Sequence, residues 1–225
     1  MKDAVDAILQ PAQASYLDAL EREHQGQRAH ADLLREMEAL AETRGEPISD
    51  PEVARFLTVA TRARAPRFVV ELGTNIGYGA ITFAAASAQA RVVTFEVDGE
   101  LGTLARGFIA RAGLSDRVEV RAERALDGLA KLEATPIDLA YLDCIKEEYV
   151  AYLDAIVPRL APRGVVIADN VLWRGLVAQD PNLVPEKEKK RTAALRAFND
   201  ALMKHPRLEA TILPFGDGVA YAVLR

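Results

Sequence analysis

Arg67-Phe-Val-Val-Glu-Leu-Gly-Thr-Asn-Ile-Gly-Tyr-Gly-Ala-Ile-Thr-Phe-Ala-Ala-Ala86 is the stretch that decides the fold. It begins with a short apolar run rich in β-branched residues, which is typical of a buried strand. Gly73 and Gly77 bracket a turn, and the residues from Ala80 to Ala86 favour a helix. In an open α/β sheet, such a turn lies at the carboxyl end of a strand, where free N–H groups of the helix bind ligands. The stretch therefore predicts a nucleotide-like cofactor beside this turn.

The spacing of the glycines limits which cofactor fits. A dinucleotide fingerprint would place a second glycine two residues after Gly73, but the residue there is Asn75. A phosphate-binding P-loop would need a lysine at the helix start, and no lysine occurs between Gly73 and Ala86. The acidic Glu71 beside the turn favours a cofactor with a cationic or hydroxyl-rich end.

Strands and helices alternate through most of the chain, which predicts a parallel, doubly wound α/β sheet. The five predicted parallel strands are Phe68–Leu72, Arg91–Phe95, Val118–Arg121, Ile137–Leu142 and Gly164–Ala168. The intervening helices are expected from Ala80, from an Asp98 cap to Gly113, over Leu126–Leu132, and through Tyr149 to Leu160. The last two strands, Glu209–Leu213 and Val219–Leu224, are joined by too few residues for a crossover helix. They are expected to pair antiparallel.

The N-terminal part of the chain is predicted to be helical. Residues 11–44 carry one apolar face and end at a Gly45 and Pro47 stop; the face consists of Leu33, Leu34, Met37, Leu40 and Ala41. This helix is either a lid or dimer face, or a simple cover for the sheet edge. Ser49 or Asp50 is expected to cap a second helix that ends near Arg64. We expect one domain over residues 1–225, with a helical cover (1–46) and a binding core (47–225).

Composition excludes several classes of protein. The 225 residues are half apolar and carry a formal net charge of −5, which disfavours a broad nucleic-acid interface. Cys144 is the single cysteine, so no intrachain disulfide forms and a cytoplasmic location is expected. The N-terminus lacks the apolar core of a secretion signal, and no apolar segment approaches the roughly 20 residues that span a membrane.

Acidic and amide side chains follow three of the predicted strands. Glu96 lies 19 residues beyond Gly77, close to the interval at which an acid binds ribose hydroxyls in nucleotide-binding units. Asp143 and the pair Asp169-Asn170 follow two further strands and should lie on the same rim as the glycine turn.

These oxygen ligands suit Mg²⁺, although an aspartate at a strand end also commonly caps the next helix. Lys146 lies three residues after Asp143. A cation beside a lysine disfavours its charged form, which brings its pKa toward the range useful for a general base. The combination predicts a metal site with a neighbouring base.

Several motifs resemble those of the cation-dependent O-methyltransferases, the group that contains catechol and caffeoyl-CoA O-methyltransferases and bacterial relatives. They are Glu71-Leu-Gly-Thr-Asn-Ile-Gly-Tyr78, Leu142-Asp-Cys-Ile-Lys-Glu-Glu-Tyr149, Ile167-Ala-Asp-Asn-Val-Leu-Trp-Arg-Gly175, Phe198-Asn199 and Leu213-Pro-Phe-Gly-Asp-Gly218. The resemblance covers residue 47 to the C-terminus. It implies the Rossmann-like class I methyltransferase fold, with a mostly parallel seven-stranded sheet and an antiparallel last strand. It also implies S-adenosylmethionine as methyl donor, a divalent cation and a homodimer.

Carried over residue by residue, the resemblance assigns a role to each site residue. The methionine end of the cofactor would lie in the glycine turn, the ribose on Glu96 and the adenine near Ala125. The implied cofactor residues are Glu71, Gly73, Thr74, Gly77, Gly79, Glu96, Ala125 and Asp143; the metal ligands are Asp143, Asp169 and Asn170. Lys146 would be the catalytic base. Trp173 and the 174–190 loop would cover the acceptor, which Asn170 and Lys146 would also contact.

Three positions depart from the family pattern. Gly79 replaces a serine, which removes one hydroxyl from the methionine carboxylate site. Glu123 replaces a glycine before the adenine pocket, and Ile145 replaces an acidic residue of the plant-type enzymes. The metal ligands and the lysine are all present.

The sequence as a whole favours a Mg²⁺-dependent O-methyltransferase that acts on a catechol-like diol of a small phenolic molecule. Two alternatives stay open. One is methylation of a hydroxylated RNA base, which the basic residues Lys187, Lys189, Lys190 and Arg191 would favour and the acidic net charge disfavours. The other is a non-catalytic cofactor-binding protein, for which Lys146 would have no use.

Overall fold

This computed structural model describes residues 11–24, 26 and 28–225. The helices are α1 (Pro11–His24), α2 (Ala31–Arg44), α3 (Pro51–Arg64), α4 (Tyr78–Ala86), α5 (Gly99–Arg111), α6 (Ala125–Lys131), α7 (Tyr149–Ile156) and α8 (Glu186–Met203). The strands are β1 (Phe68–Leu72), β2 (Arg91–Phe95), β3 (Val118–Arg121), β4 (Ile137–Leu142), β5 (Leu160–Ala168), β6 (Leu208–Leu213) and β7 (Val219–Leu224). Sequence-based expectations for residues 1–10 lie outside the described part.

All seven strands form one sheet in the order β3-β2-β1-β4-β5-β7-β6. Strands β1 to β5 pair in parallel, whereas β7 runs antiparallel to both of its neighbours. The predicted class I methyltransferase sheet with an antiparallel last strand is therefore confirmed. The order reverses between β1 and β4, and in doubly wound sheets ligands bind at the carboxyl ends of the strands beside such a reversal.

The sheet separates two layers of apolar side chains. Strand β1 is buried along its whole length, which explains its continuous apolar run. Val69 packs with side chains from α2 to α5 on one face, whereas Val70 and Leu72 pack with α6, α7 and α8 on the other. Full burial of each such side chain stabilises the fold by roughly 1.5–3 kcal/mol, so the central strands hold the rim residues on a rigid support.

The N-terminal helical segment differs from the prediction. We expected one helix over residues 11–44, but the structure has α1 and α2, separated by a break that contains Gly26. A glycine within a helix costs about 1 kcal/mol relative to alanine. His30, which precedes α2, has a left-handed backbone with φ of 59° that a continuous helix does not allow. The predicted inward face of α2 is partly confirmed, since Leu34, Met37 and Ala41 are buried.

The fifth strand begins earlier than predicted. We expected a helix through Leu160 and a strand from Gly164, but α7 ends at Ile156 and β5 already starts at Leu160. Residues between them, Val157–Arg159, form one 3-10 turn containing a proline, which cannot continue an α-helix. Leu160 pairs with Ile137 before the register shifts, so the strand is longer and irregular.

One predicted helix cap forms and the other does not. The Asp98 side chain accepts hydrogen bonds from the backbone N–H groups of Glu100 and Leu101 at 2.8 and 3.0 Å. Asp50 precedes α3, but its side chain makes no capping hydrogen bond. The Ser49 hydroxyl instead lies 3.1 Å from the hydroxyl of Tyr141, whose strand ends at the ligand-binding rim.

No helix among the described residues is long and apolar enough to cross a membrane.

Gly73 is a position where only glycine fits. Its φ is 101°, and a Cβ there would lie 2.1 Å from the backbone oxygen of Asp143. We expect Gly73→Ala to lower the free energy of unfolding by roughly 3 kcal/mol or more, because backbone strain adds to an unavoidable clash. Urea denaturation of the purified variant measures this loss.

Gly113→Ala is the matched control for Gly73→Ala. Gly113 also has a positive φ, of 69°, but open space surrounds the site of a Cβ. We expect this variant to lose only about 1 kcal/mol. Equal losses in the two variants would contradict the close approach of the β1 turn to Asp143.

Candidate active site

A cavity of about 570 Å³ opens at the carboxyl ends of β1, β2, β4 and β5. Eleven of the residues predicted from the sequence line it: Glu71, Gly73, Thr74, Gly79, Glu96, Ala125, Asp143, Lys146, Asp169, Asn170 and Trp173. Gly77 is the exception. A Cβ at Gly77 would lie 3.2 Å from the Cβ of Ala105 in α5, so this glycine lets α4 and α5 approach closely and does not face the cavity.

Backbone hydrogen bonds fix the glycine turn against the neighbouring strand. The Thr74 N–H donates to the Phe95 carbonyl at 3.1 Å, and the hydroxyls of Thr74 and Thr94 lie 2.6 Å apart. The Glu96 carboxylate accepts from the N–H groups of Asn75 and Asp98, both at 2.9 Å. Each of its oxygens retains a further lone pair that can accept a ligand hydroxyl.

Glu71 is a buried acid at the cavity wall. Its burial raises its pKa to about 8; a hydrogen bond from Thr94 opposes the rise, and the negative charges of Asp143 and Glu96 add to it. The Oε2 atom has no hydrogen-bond partner among the described residues. A buried carboxyl oxygen without a hydrogen-bond partner is costly, so this atom is suited to form a hydrogen bond with a ligand.

The absence of a side chain at Gly79 leaves room for the Glu71 carboxyl group at the cavity wall. A Cβ at position 79 would lie 2.0 Å from Glu71 Oε1, which means that any side chain at this position requires the carboxylate to move. The serine expected at this position is therefore incompatible with the observed conformation of Glu71. This chain therefore lacks the serine hydroxyl at position 79, and the Glu71 carboxyl group occupies the space that the serine side chain would fill.

Lys146 lies beside Asp143 on the single 3-10 turn that follows β4. Its Nζ donates to Asp143 Oδ1 at 2.6 Å, and the residue is only 8% exposed. Burial acts to lower the pKa of Lys146, but the adjacent Asp143 carboxylate outweighs burial and holds the pKa above its ordinary value. In this ion pair the lysine carries its proton.

Asp169 is the second carboxylate of the cluster. Burial raises its pKa to about 7, and the negative charge of Asp143 adds to the rise. Its Oδ2 accepts from the Tyr141 hydroxyl at 3.1 Å and its Oδ1 from the N–H of Asn170 at 2.7 Å. The Tyr149 hydroxyl lies 3.1 Å from the Asp169 carbonyl oxygen, so two tyrosines hold this strand end.

The donor set at this end of the cavity fits a hard divalent cation. Asp143, Asp169 and Asn170 supply two carboxylates and one amide, the oxygen ligands that Mg²⁺ prefers. Burial and repulsion from Asp143 both raise the pKa of Asp169, and a cation between the two carboxylates would relieve the repulsion. No group of three or more His, Cys, Asp or Glu side chains suited to a metal occurs in the part of the chain that the structure describes.

Comparison with known proteins identifies the family. Residues 26–224 match the family model described as O-methyltransferase. The chain belongs to the O-methyltransferase family. It is 36% identical over 178 residues to the catechol O-methyltransferase of Mycobacterium tuberculosis, covering 76% of this chain and 78% of that protein. It is 32% identical to the catechol O-methyltransferase domain-containing protein 1 of Mus musculus, covering 81% of this chain and 70% of that protein.

A solved O-methyltransferase structure has the same fold. The enzyme from Bacillus cereus, in complex with SAH, superposes with a TM-score of 0.76 at 32% identity, covering 86% of this chain and 91% of that one. The family assignment rests on sequence similarity as well as on the shared fold. It therefore confirms both the predicted resemblance and the prediction of an O-methyltransferase enzyme.

In this O-methyltransferase, Trp173 is one of the residues that line the cavity. Its indole Nε1 donates to Glu188 at 2.9 Å, and the Arg191 guanidinium lies 4.7 Å from the ring centroid. Both partners belong to α8, which begins at Glu186. The predicted 174–190 loop is therefore shorter than expected and contains a 3-10 turn at Leu176–Ala178.

The two other departures from the family pattern lie at the cavity wall. The Glu123 carboxylate is 2.6 Å from Lys131 Nζ, so its charge is paired. Ile145 is 46% exposed. Neither side chain interrupts the Asp143, Asp169 and Lys146 cluster.

Sequence reasoning missed the residues that support the cluster. Tyr141 and Ser49 form a hydrogen-bonded chain to Asp169, although Ser49 lies far away in sequence. A polar residue inside the apolar run of β4 is the one sequence signal for Tyr141. Tyr149 was within a quoted motif, but nothing in the sequence indicated that its hydroxyl reaches the ends of both β4 and β5.

Proposed function

We propose that this chain transfers the methyl group of S-adenosylmethionine to one hydroxyl of a catechol-like small molecule, with the help of a divalent cation. The observation that carries the proposal is that Lys146, Asp143, Asp169 and Asn170 line the same cavity as the glycine turn. The catechol O-methyltransferase name of a relative supports the acceptor class.

The residues of the turn suit the methyl donor. We assign the methionine end to Glu71, Gly73, Thr74 and Gly79, and the proposal rests on the unpartnered Glu71 oxygen and the close backbone approach at Gly73. Glu96 would accept from the ribose hydroxyls, and Ala125 would lie near the adenine. The SAH complex of the Bacillus cereus relative supports this donor.

Asp143, Asp169 and Asn170 would hold the cation, most simply Mg²⁺. When bound, such an ion lowers the pKa of a coordinated hydroxyl and orients it. Asp143 now keeps the Lys146 proton in place. Engagement of Asp143 elsewhere would remove the partner that holds the lysine pKa high, so Nζ could release its own proton to solvent and then accept the hydroxyl proton.

The remaining proposals concern the acceptor and the assembly. Trp173 lines the cavity and offers a planar face for an aromatic ring. Methyl transfer also requires the nucleophilic oxygen to be held about 3 Å from the methyl carbon, which two vicinal oxygens on one ion would achieve. We also propose a homodimer, as the resemblance implies, and a cytoplasmic location, for which the single cysteine is the reason. The apolar face of the N-terminal helical segment supports the proposal that residues 1–46 form a cover on the core.

Surface charge favours a small acceptor over RNA. Within the basic run at the start of α8, Lys189 pairs with Glu186 at 2.7 Å and Arg191 lies 3.6 Å from Glu188. These pairs reduce the positive charge available to phosphates.

Methyl transfer to a matched panel tests the proposed function. The enzyme is incubated with S-adenosylmethionine, Mg²⁺ and either catechol, resorcinol, phenol or a hydroxylated RNA oligonucleotide, and products are detected by mass spectrometry. We expect a monomethyl ether from catechol and at least about 100-fold less from resorcinol and phenol, since neither has vicinal oxygens to share one ion. Preferential methylation of the RNA or of phenol would contradict the proposed acceptor class.

A further inference from the structure

The turn formed by residues 170–175, which follows β5, has a strained backbone. Asn170, Trp173 and Arg174 have positive φ angles of 58°, 46° and 53°, in the left-handed region that residues other than glycine rarely adopt. Asn170 and Trp173 also line the active-site cavity. A strained backbone of this kind persists only where surrounding groups hold it in place. Contacts from other parts of the fold must therefore hold the 170–175 turn.

The connection between β6 and β7 supplies most of these contacts. The N–H of Leu172 donates to the Asp217 carbonyl oxygen at 3.0 Å, and the N–H of Arg174 donates to Asp217 Oδ1. The N–H of Val171 donates to the Gly218 carbonyl oxygen at 3.0 Å. A Cβ at Gly218 would lie 2.3 Å from Leu172 Cγ, so the two segments touch. Asp217 therefore holds the turn twice, once through its backbone and once through its side chain.

Helix α8 supplies a further contact. The Asn199 side-chain amide donates to the Val171 carbonyl oxygen at 2.9 Å. Asn199 and Asp217 both belong to sequence motifs quoted above that have no part in the proposed chemistry. Two segments that are distant in the chain thus converge on the turn that carries Asn170 and Trp173.

We propose that Asp217 is a positioning residue of the methyl-transfer site, assisted by Asn199. Together they hold the 170–175 turn so that Asn170 presents its amide oxygen to the cation and Trp173 presents its ring to the acceptor. The inference rests on the proposed function, because the cation and the acceptor belong to it. Asp217 acts through the oxygen that accepts from the Arg174 N–H, so an asparagine at this position preserves its role.

The fluorescence of Trp173 tests whether Asp217 holds the turn, because Trp173 is the single tryptophan of the chain and reports on the turn without any ligand. Acrylamide quenching is measured for the wild-type protein, Asp217→Ala and Asp217→Asn. We expect the quenching constant to rise about 2-fold or more in Asp217→Ala, because a released turn opens locally and exposes the indole. Asp217→Asn should be quenched like the wild-type protein. Wild-type quenching of Asp217→Ala would overturn the proposal, as would equal quenching of the two variants.

Binding of Mn²⁺ alone, followed by electron paramagnetic resonance, tests whether the turn supports the cation site. We expect Asp217→Ala to raise the Kd for Mn²⁺ roughly 10-fold or more, the loss typical of removing a group that orients a metal ligand. Asp217→Asn should stay within about 3-fold of the wild-type Kd, since the orienting hydrogen bond remains. An unchanged Kd in Asp217→Ala would overturn the positioning role. A wild-type protein that binds no Mn²⁺ would contradict the proposed function, while the quenching still decides whether Asp217 holds the turn.

Asp138→Ala is the matched control for Asp217→Ala. The Asp138 carboxylate also accepts from backbone N–H groups of a distant segment, those of Arg67 at 2.8 Å and Phe68 at 3.0 Å, but Asp138 does not line the active-site cavity. We expect its removal to change neither the quenching nor the Kd for Mn²⁺. Equal changes in both variants would show a general loosening of the fold and overturn the proposal.

Asn199→Leu keeps the inference testable if Asp217→Ala does not fold. This variant removes the hydrogen bond to Val171 and leaves both contacts of Asp217 in place. We expect the same direction of change in quenching and in the Kd for Mn²⁺, and wild-type values for both would contradict the role of Asn199. Thermal unfolding followed by circular dichroism checks that each variant is folded.

Discussion

Replacing Lys146 with methionine is expected to lower kcat roughly 100- to 10,000-fold, the range typical of removing a general base. Methionine preserves much of the apolar stem but cannot accept a proton. Lys146 is almost fully buried and contacts Asp143, while the glycine turn and Glu96 are held by other groups. The affinity for S-adenosylhomocysteine should therefore stay within about 3-fold of the wild-type value. The variant keeps the interactions that bind the ground state and the transition state equally. Single-turnover methyl transfer and calorimetry measure the two quantities.

Lys204→Met is the matched control for this variant. Lys204 also forms a 2.6 Å ion pair, with Asp200, but its side chain is 75% exposed and is not among the residues that line the cavity. We expect unchanged turnover, since exposed pairs contribute little. A Lys146→Met enzyme that loses cofactor affinity and turnover equally would show that the lysine is structural and that the assigned base is wrong.

Removal of the Asp169 carboxylate is expected to have the second large effect. Asp169→Ala deletes one proposed cation ligand and leaves Asp143 and Asn170 in the cavity. Losing several kcal/mol of charge stabilisation at the acceptor oxygen corresponds to a fall in kcat/KM of about 1,000-fold. The variant should also require a higher Mg²⁺ concentration for half-maximal activity, which a metal titration of initial rates measures.

The fold should tolerate this change, because burial of Asp169 already disfavours its charged form and the Tyr141 hydroxyl keeps Ser49 as a hydrogen-bond partner. Thermal unfolding followed by circular dichroism checks that point. Asp200→Ala, which removes an exposed carboxylate from α8, should leave both the rate and the metal requirement unchanged. An Asp169→Ala enzyme with a normal metal requirement would contradict the assignment of this residue as a ligand.

The sheet could be predicted from the sequence because each central strand is buried on both faces. Buried parallel strands give continuous apolar runs, and glycine, proline and capping residues mark their ends. The start of β5 was misplaced because Leu160 fits both an apolar helix face and a strand, and its pairing with Ile137 is a tertiary contact. The break near Gly26 was missed because a single glycine is also tolerated inside helices.

Most of the candidate site could be predicted because topology places strand ends together. Glu96, Asp143 and Asp169 each follow a parallel strand, so their position in sequence indicates their position on the rim. The same logic does not show which of the two turn glycines lines the cavity, since Gly73 and Gly77 both flank the turn. Gly77 instead packs against α5, which is a tertiary contact. Hydrogen bonds between distant segments, such as that from Tyr141 to Asp169, leave no periodic signal in the sequence.

Binding of the acceptor as a function of metal tests the central claim most directly. Catechol is titrated calorimetrically into the enzyme saturated with S-adenosylhomocysteine, once with Mg²⁺ and once with EDTA. If Asp143, Asp169 and Asn170 hold an ion that binds the two vicinal oxygens, catechol should bind with Mg²⁺ and at least about 100-fold more weakly with EDTA. Equal catechol affinity under the two conditions would contradict a cation-mediated acceptor site.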